Sequence, residues 1–378
     1  VARRKTPPFR ADHVGSLLRP SQLLAAREQA VRGQIGAAEL RTVEDAAIRE
    51  AVALQEGLGL QGVTDGEFRR TFFHIDFLKR FDGVSIAETG IAAHFHREDG
   101  DLDFAPPRIS ITGKLRRSWP VFGEDFSFLA GVARGAPKQT IPSPSMAHFR
   151  GGRAAVDRQA YPDIEAFFAD LAAVYREEIA DLAARGCRYL QLDDTNLAYL
   201  CDPKLREGAR AMGEDPDALP HTYARLINAA IAGRPDDMTV AVHLCRGNFR
   251  SAWVAEGGYD PVAEALFGEI EAEAFFLEYD TDRAGDFAPL RYVPADKTVV
   301  LGLVSTKRPQ LEDKDALKRR IEAAARFTPI EQLCVSPQCG FASTVHGNEI
   351  TADDQRRKLA LVVELADEVW GSERDDLT

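Results

Sequence analysis

The stretch DMTVAVHLC, residues 237–245, is an apolar run of strand length that ends on two reactive side chains, His243 and Cys245. Its length and β-branched content read as a buried strand, and a strand buried on both faces belongs to a parallel sheet covered by helices. Working outward, the same alternation recurs. Upstream lie a helix over about 163–185, opened by the Pro/Asp start in YPDIEAF, the strand GCRYLQLDD (186–194), and a helix over about 216–232. Downstream come a helix at about 261–269, the strand EAFFLEYD (273–280), a short helix at about 286–292, and the strand DKTVVLGLV (296–304). A helix at about 314–326, the strand EQLCVSPQCG (331–340) and a closing helix at about 353–369 follow. Toward the N-terminus, a charged helical pattern covers about 21–58, and QGVTDGEF (61–68) reads as a strand and turn. Between about 72 and 135 the runs VSIAETGIAAHFHREDG and PPRISITGKL predict a hairpin insertion. Strands are expected at 12–15, 62–65, 139–141, 188–192, 239–243, 274–277, 298–301 and 332–335. The fold class is therefore α/β, a (β/α)8 TIM barrel with an N-terminal helical extension and a hairpin insertion. A barrel needs about 250 residues, and the extension and insertion account for the surplus. No linker of flexible composition appears, so 1–378 reads as one catalytic domain. No glycine-rich phosphate fingerprint follows the first strand, which argues against a doubly wound dinucleotide fold.

Composition narrows the function. A chain 45% hydrophobic and 28% charged is an ordinary globular protein, and its net charge of -12 makes nucleic acid and anionic membrane poor partners. No apolar run approaches the roughly 18 residues of a membrane span, and the basic N-terminus lacks the apolar segment of a signal peptide. Five scattered cysteines argue against a disulfide framework and for a reducing, cytoplasmic setting. Homo-oligomerisation is compatible with all of this.

In such a barrel the chemistry lies at the C-terminal ends of the strands. There the sequence places His13 and Ser16 after strand 1, Asp65 and Glu67 after strand 2, and Asp193 and Asp194 after strand 4. His243 and Cys245 follow strand 5, Glu278 strand 6 and Cys339 strand 8. An imidazole, two thiolates and a carboxylate make a tetrahedral set that suits zinc. Three negative charges against two positive make a poor generator of hydroxide and a good place for a thiol to replace the weakest ligand. Alkyl transfer to sulfur is the chemistry that follows.

Each residue also has an ordinary structural role. Cys339 and His243 alone could be core, and Glu278 alone a solvated carboxylate. Asp193 and Asp194 could cap the next segment, and Glu67 could end a turn. The set weighs more because all four candidate ligands fall at the same end of strands. Cys187 and Cys334 read as core and Cys201 as a loop residue. Phe72 and Phe73 read as core or cavity lining. His94 and His96 have chelating spacing but read as exposed hairpin residues, and SERDD (372–376) as solvated surface.

HLC, FFLEYD and VSPQCGF resemble the zinc-ligand motifs of cobalamin-independent methionine synthase, in its C-terminal catalytic barrel. DHVGSLLRP, VTDGEFRR, TIPSPS, LQLDD and LGLVSTK resemble the shorter, single-barrel branch of that superfamily, and the resemblance spans nearly the whole chain in one order. It implies a (β/α)8 barrel, zinc held by His243, Cys245, Glu278 and Cys339, and methyl transfer to a zinc-bound thiolate, homocysteine in the parent family. By the same resemblance Asp193 matches the aspartate that holds the amino group of the thiol amino acid. Glu67 matches a glutamate of that pocket, and Ser16 a serine whose backbone helps bind the ligand.

The chain departs from the pattern in three places. The parent family's N-terminal folate-binding barrel has no counterpart. The pterin-stacking tryptophan expected after PSPS is replaced in a neighbourhood holding Phe149 and Arg150. Val304 stands where a histidine acid is expected. These departures argue against folate as donor and for a methylated corrinoid protein or an activated methyl-sulfur compound. An alternative reading follows from a resemblance to epoxyalkane–coenzyme M transferases, in which a zinc thiolate opens an epoxide. Its product needs an acid, for which His13, His148 and Lys307 are candidates. A sulfonate thiol would require cations in the pocket, and Arg19, Arg69 and Arg70 are the test. A second alternative is a decarboxylase-like barrel without zinc, since uroporphyrinogen decarboxylases share the superfamily.

Overall fold

The computed structural model describes residues 4–88, 93–97 and 100–371; SERDD lies outside them. In chain order the strands are β1 (Gly62–Val63), β2 (Asp82–Ala87), β3 (Ala93–Phe95), β4 (Leu102–Phe104), β5 (Arg108–Arg116) and β6 (Ala136–Pro142). β7 (Tyr189–Asp194), β8 (Thr239–Leu244), β9 (Ala274–Glu278), β10 (Thr298–Val304) and β11 (Leu333–Pro337) complete them. Among the described residues, β1, β6, β7, β8, β9, β10 and β11 form one seven-stranded sheet in that order, every pair parallel. β7, β9, β10 and β11 are buried along their whole length, which is why their sequences read as continuous apolar runs.

The sheet curls into a (β/α)8 barrel whose eighth place is taken by an irregular segment. A strand was expected at 12–15; instead one parallel bridge joins Ala11 to Val335, with the Asp12 N–H donating to Val335 O at 3.0 Å. The reason is local. The Asp12 carboxylate accepts from the N–H groups of Phe9 (3.2 Å) and His13 (2.8 Å), bending the segment out of a ladder. Gly15 then turns the chain at φ +134, where a Cβ would lie 2.7 Å from Thr140 Cγ2. On the other side the seam closes through Thr64 Oγ1 donating to Gly15 O (2.6 Å) and the Leu17 N–H donating to Gly66 O (3.1 Å).

Inside the barrel, Tyr189, Ala241, Phe276, Val300 and Cys334 pack as a core of their own. Lys138 is buried among them, its ammonium 3.2 Å from Asp12 Oδ1, 2.7 Å from His13 O and 4.1 Å from the Phe276 ring centroid.

Around the sheet, the helix Ile164–Ala184 starts where Asp163 caps Glu165 N–H, and Ala352–Trp370 starts on a capping box of Thr351 and Asp354. The expected helix over 21–58 is two helices, Ser21–Val31 and Ala37–Leu58, because Gly33 adopts φ +70 between them. The expected insertion contains the antiparallel pair β2/β5, the antiparallel pair β3/β4, and a helix at Gly123–Val132. It is anchored to the barrel where His96 and Trp253 exchange backbone hydrogen bonds of 2.7 and 3.0 Å. Phe104 stacks on Phe249 there, with centroids 3.9 Å apart. No described helix is long and apolar enough to cross a membrane.

Candidate metal centre and acceptor pocket

Strand register assembles the site. On β7 and β8, Asp193 lies opposite His243, and on β8 and β9, His243 lies opposite Phe276. The Cys245 N–H donates to Asp194 O at 2.8 Å, so the chain stays extended past β8 and His243 and Cys245 share a side. Glu278, the last residue of β9, pairs with Gly302 on β10. A Cβ at Gly302 would fall 2.6 Å from Gln338 Cα and 2.8 Å from Leu277 O, so the close approach of these loops requires glycine. Cys339 follows β11 in the next turn.

His243, Cys245, Glu278 and Cys339 are all buried, and one ligand atom from each lies within 4.8 Å of all the others. The two Sγ atoms are 3.3 Å apart and the cysteines are free. In a tetrahedral zinc site with Zn–S of about 2.3 Å the sulfurs sit about 3.8 Å apart, so a small outward shift would seat the ion. His243 Nδ1 lies 3.4 Å from Phe276 O, while buried Nε2 has no hydrogen-bond partner among the described residues. One ring nitrogen on a backbone carbonyl and the other bare is the arrangement of a metal-ligating histidine. Glu278 is fixed by the Arg246 N–H on Oε1 (2.8 Å) and by Arg283 on Oε2 (3.3 Å), with Arg283 also held by Asp280 at 2.6 Å. The donor set therefore fits zinc in number, type and spacing. Its charges are unequal: the hydrogen bond with Cys245, and His243 beside it, hold Cys339 well below the usual thiol range. The same sulfur contact, with burial, pushes Cys245 well above it. Burial also raises Glu278.

The pocket residues named from the sequence lie close by. Asp193 Oδ1 accepts from Gln191 Nε2 at 2.7 Å. Burial, then the charge of Glu67, pushes its carboxyl up to about 7. Glu67 sits in the left-handed region (φ +60), a sparsely populated conformation for a side chain of its size. Its N–H donates to Asp65 Oδ1 at 2.8 Å, and its Oε1 accepts from Thr140 Oγ1 at 2.8 Å. Ser16 ties the first turn to the last. Its carbonyl accepts from the Phe341 N–H (2.9 Å), its Oγ accepts from the Ala342 N–H (3.3 Å), and a Cβ on Gly340 would lie 1.9 Å from that Oγ.

A cavity of about 980 Å³ opens onto this cluster at Cys245, with Asn248 and Ser343 beside it. Phe72, Phe73, Phe95, Phe104, Phe149 and Phe249 give it an apolar wall, so Phe72 and Phe73 are lining. Ser16, Glu67 and Asp193 are buried and outside that lining.

Arg19 donates to the carbonyls of Ala342, Thr344, Glu67 and Arg70; Arg69 pairs with Asp45 and Asp125; Arg70 binds Thr140 and covers the Phe122 ring. None of the three lines the cavity. Neither do the acid candidates. Burial pulls His13 down to about 4, His148 Nδ1 is 3.0 Å from the Tyr223 hydroxyl, and Lys307 donates to Gly247 O, Asn248 Oδ1 and Ala252 O. Cys201 lies in the turn between the helices Asn196–Tyr199 and Pro203–Ala211, as expected, and is buried there. Sequence reading missed His74, which lines the cavity with both nitrogens unpartnered among the described residues. Burial holds it well below the usual imidazole range. Its signal was adjacency to Phe72 and Phe73. Arg246 and Arg283, which fix Glu278, were missed as well.

Residues 140–368 match the family model described as the cobalamin-independent synthase catalytic domain. The chain is 47% identical over 371 residues to the Bacillus subtilis protein YxjH, covering 97% of this chain and 96% of that protein. A solved structure of a candidate vitamin-B12 independent methionine synthase from Listeria monocytogenes is 41% identical, with a TM-score of 0.78 over 98% of this chain and 100% of that one. The 5-methyltetrahydropteroyltriglutamate–homocysteine methyltransferase of Acidiphilium cryptum is 26% identical over 89% of this chain and 40% of its own length. Fold, strand-end geometry and these matches agree: the chain belongs to the cobalamin-independent methionine synthase catalytic-domain family.

Proposed function

We propose that this protein is a zinc-dependent methyltransferase whose acceptor is homocysteine or a similar thiol amino acid, worked by one barrel with its 72–135 insertion. The observation that carries the reading is the convergence of His243, Cys245, Glu278 and Cys339 beside the buried carboxyl of Asp193. The relative from Acidiphilium cryptum, named as a homocysteine methyltransferase, supports it. When bound, zinc would supply a Lewis-acid centre able to keep an incoming thiol ionised at neutral pH. The chain's own residues do the rest. Arg246 N–H and Arg283 hold Glu278 by one oxygen each, orienting the carboxylate that would help hold the ion. Asp193 and Glu67 place two carboxyls where an acceptor's ammonium would sit. An ammonium beside Asp193 draws its raised carboxyl back to the ionised form. The phenylalanine wall keeps water from the reacting sulfur.

Asp193→Asn should weaken homocysteine binding about 10–100-fold, the worth of a charged hydrogen bond, and leave metal content unchanged. Calorimetric titration with metal analysis checks this, and unaltered affinity would remove the assigned role. The activity itself is tested by offering homocysteine and coenzyme M with labelled donors of three classes: a methylated corrinoid protein, a methyl-sulfur compound and methyltetrahydrofolate. Labelled methionine from any donor supports the reading; alkylated coenzyme M with no methionine overturns it.

The coenzyme M alternative gains nothing from the cations named as its test, because Arg19, Arg69 and Arg70 are outside the cavity lining and spent on carbonyls, carboxylates and Thr140, whereas among the described residues the cations that do line the cavity are Arg150 and Lys204. The decarboxylase-like alternative gives no account of two facing thiols and a bare buried imidazole nitrogen. Free, buried cysteines suit a reducing compartment and support a cytoplasmic location.

A further inference from the structure

A second group of metal-ligating side chains stands on the hairpin, away from the strand ends. His94 and His96 are two residues apart on β3 and its continuation and so share a face, with ring centroids 5.0 Å apart. Asp101 reaches both rings: its Oδ2 is 2.9 Å from His94 Nε2 and its Oδ1 is 3.4 Å from His96 Nδ1. One ligand atom from each of the three lies within 4.8 Å of the others. Asp103, paired across the strands with His94, holds the opposite ring nitrogen, His94 Nδ1, at 2.9 Å.

We propose that His94, His96 and Asp101 form a second, independent site for a divalent transition ion at the rim of the cavity. Two imidazoles and one carboxylate select ions such as zinc, cobalt or nickel over magnesium or calcium, which prefer all-oxygen sets. Asp103 is the positioning residue. A carboxylate on Nδ1 fixes the ring's orientation and leaves Nε2 to bind, as outer partners of ligating histidines do. A pair of ordinary ion pairs would not require two histidines to converge on one carboxylate while a second carboxylate holds the outer nitrogen. The frame is anchored, since His96 is bridged by its backbone to Trp253 and Phe104 stacks on Phe249. Both anchors belong to the loop that follows His243 and Cys245. All three ligands line the cavity. Three protein ligands leave coordination positions free, and here those positions open toward whatever enters. They would take water or an anionic oxygen of the bound molecule, a carboxylate or phosphate oxygen being the chemical class that fits.

The test uses zinc alone and does not depend on the barrel centre being occupied. His94→Ala/His96→Ala should bind one equivalent fewer than the wild type at micromolar free zinc, because both residues are part-exposed and their loss leaves the barrel unchanged. In a Cys245→Ser/Cys339→Ser background the remaining equivalent should show only nitrogen and oxygen neighbours by X-ray absorption, with imidazole scattering. Asp103→Asn should weaken that equivalent by about 10–100-fold. Equal zinc uptake with and without the two hairpin histidines overturns the site, and so does sulfur coordination of the equivalent they control.

Discussion

Cys339→Ser is expected to strip the metal from the barrel and abolish turnover while leaving the fold in place. Loss of an outer-shell partner already costs a metal site about 10–100-fold, and loss of a direct thiolate ligand must exceed that. Serine matches cysteine closely in shape but is not ionised near neutral pH, so His243, Cys245 and Glu278 would be left to hold the ion. The fold has little stake in this sulfur: Cys339 lies in the turn after β11, and its polar neighbours are the other three candidate ligands, with Cys245 Sγ at 3.3 Å, and Ser343 Oγ at 3.9 Å. Metal analysis and thermal unfolding of the variant check both halves. Full zinc content would remove Cys339 from the ligand set.

The second large effect is on stability. Asp12→Ala should destabilise the protein by about 3–5 kcal/mol, because it leaves the Lys138 ammonium buried without its carboxylate. Asp12 also accepts from the Tyr189 hydroxyl at 2.8 Å and from two backbone N–H groups, so it holds the irregular eighth stave to the barrel interior. The pH dependence has a definite sign. Burial already lowers the pKa of Lys138, and removing Asp12 takes away the larger of the two charges, Asp12 and Asp193, that raise it. A lysine whose folded pKa lies below its unfolded one destabilises the fold as pH falls and ceases to do so as pH rises to the unfolded value. The defect of Asp12→Ala should therefore shrink as pH rises toward the unfolded value of lysine. Replacing both partners, as Asp12→Leu/Lys138→Met, should recover much of the loss. Denaturant unfolding of the two variants decides it; Asp12→Ala as stable as the wild type would show that the pair contributes nothing.

The barrel was legible because its strands are covered on both faces, so that runs such as VAVHL and AFFLE stand out between amphipathic helices. The strand-end residues were legible for the same reason: polar, reactive side chains at the end of apolar runs are costly unless they are used. The first stave was not, because Asp12 spends its carboxylate on its own backbone, a local choice that alternation does not encode. The helix Pro203–Ala211 was overlooked although Asp202 followed by proline is a helix start, with Asp202 capping Lys204 N–H at 2.8 Å. Arg19 illustrates what spacing cannot supply. Its place beside the first turn left open whether it faces the pocket; its guanidinium is consumed by four carbonyls from distant loops. The partners of Glu278 were hidden likewise, since one is a backbone N–H from the loop after β8.

The most direct test of the account is an X-ray absorption spectrum at the zinc edge of the protein loaded with one equivalent, recorded before and after homocysteine. The account predicts a barrel zinc with two sulfur neighbours that gains a third when the amino acid is added. A spectrum with nitrogen and oxygen alone, or one in which homocysteine adds no sulfur, would contradict it.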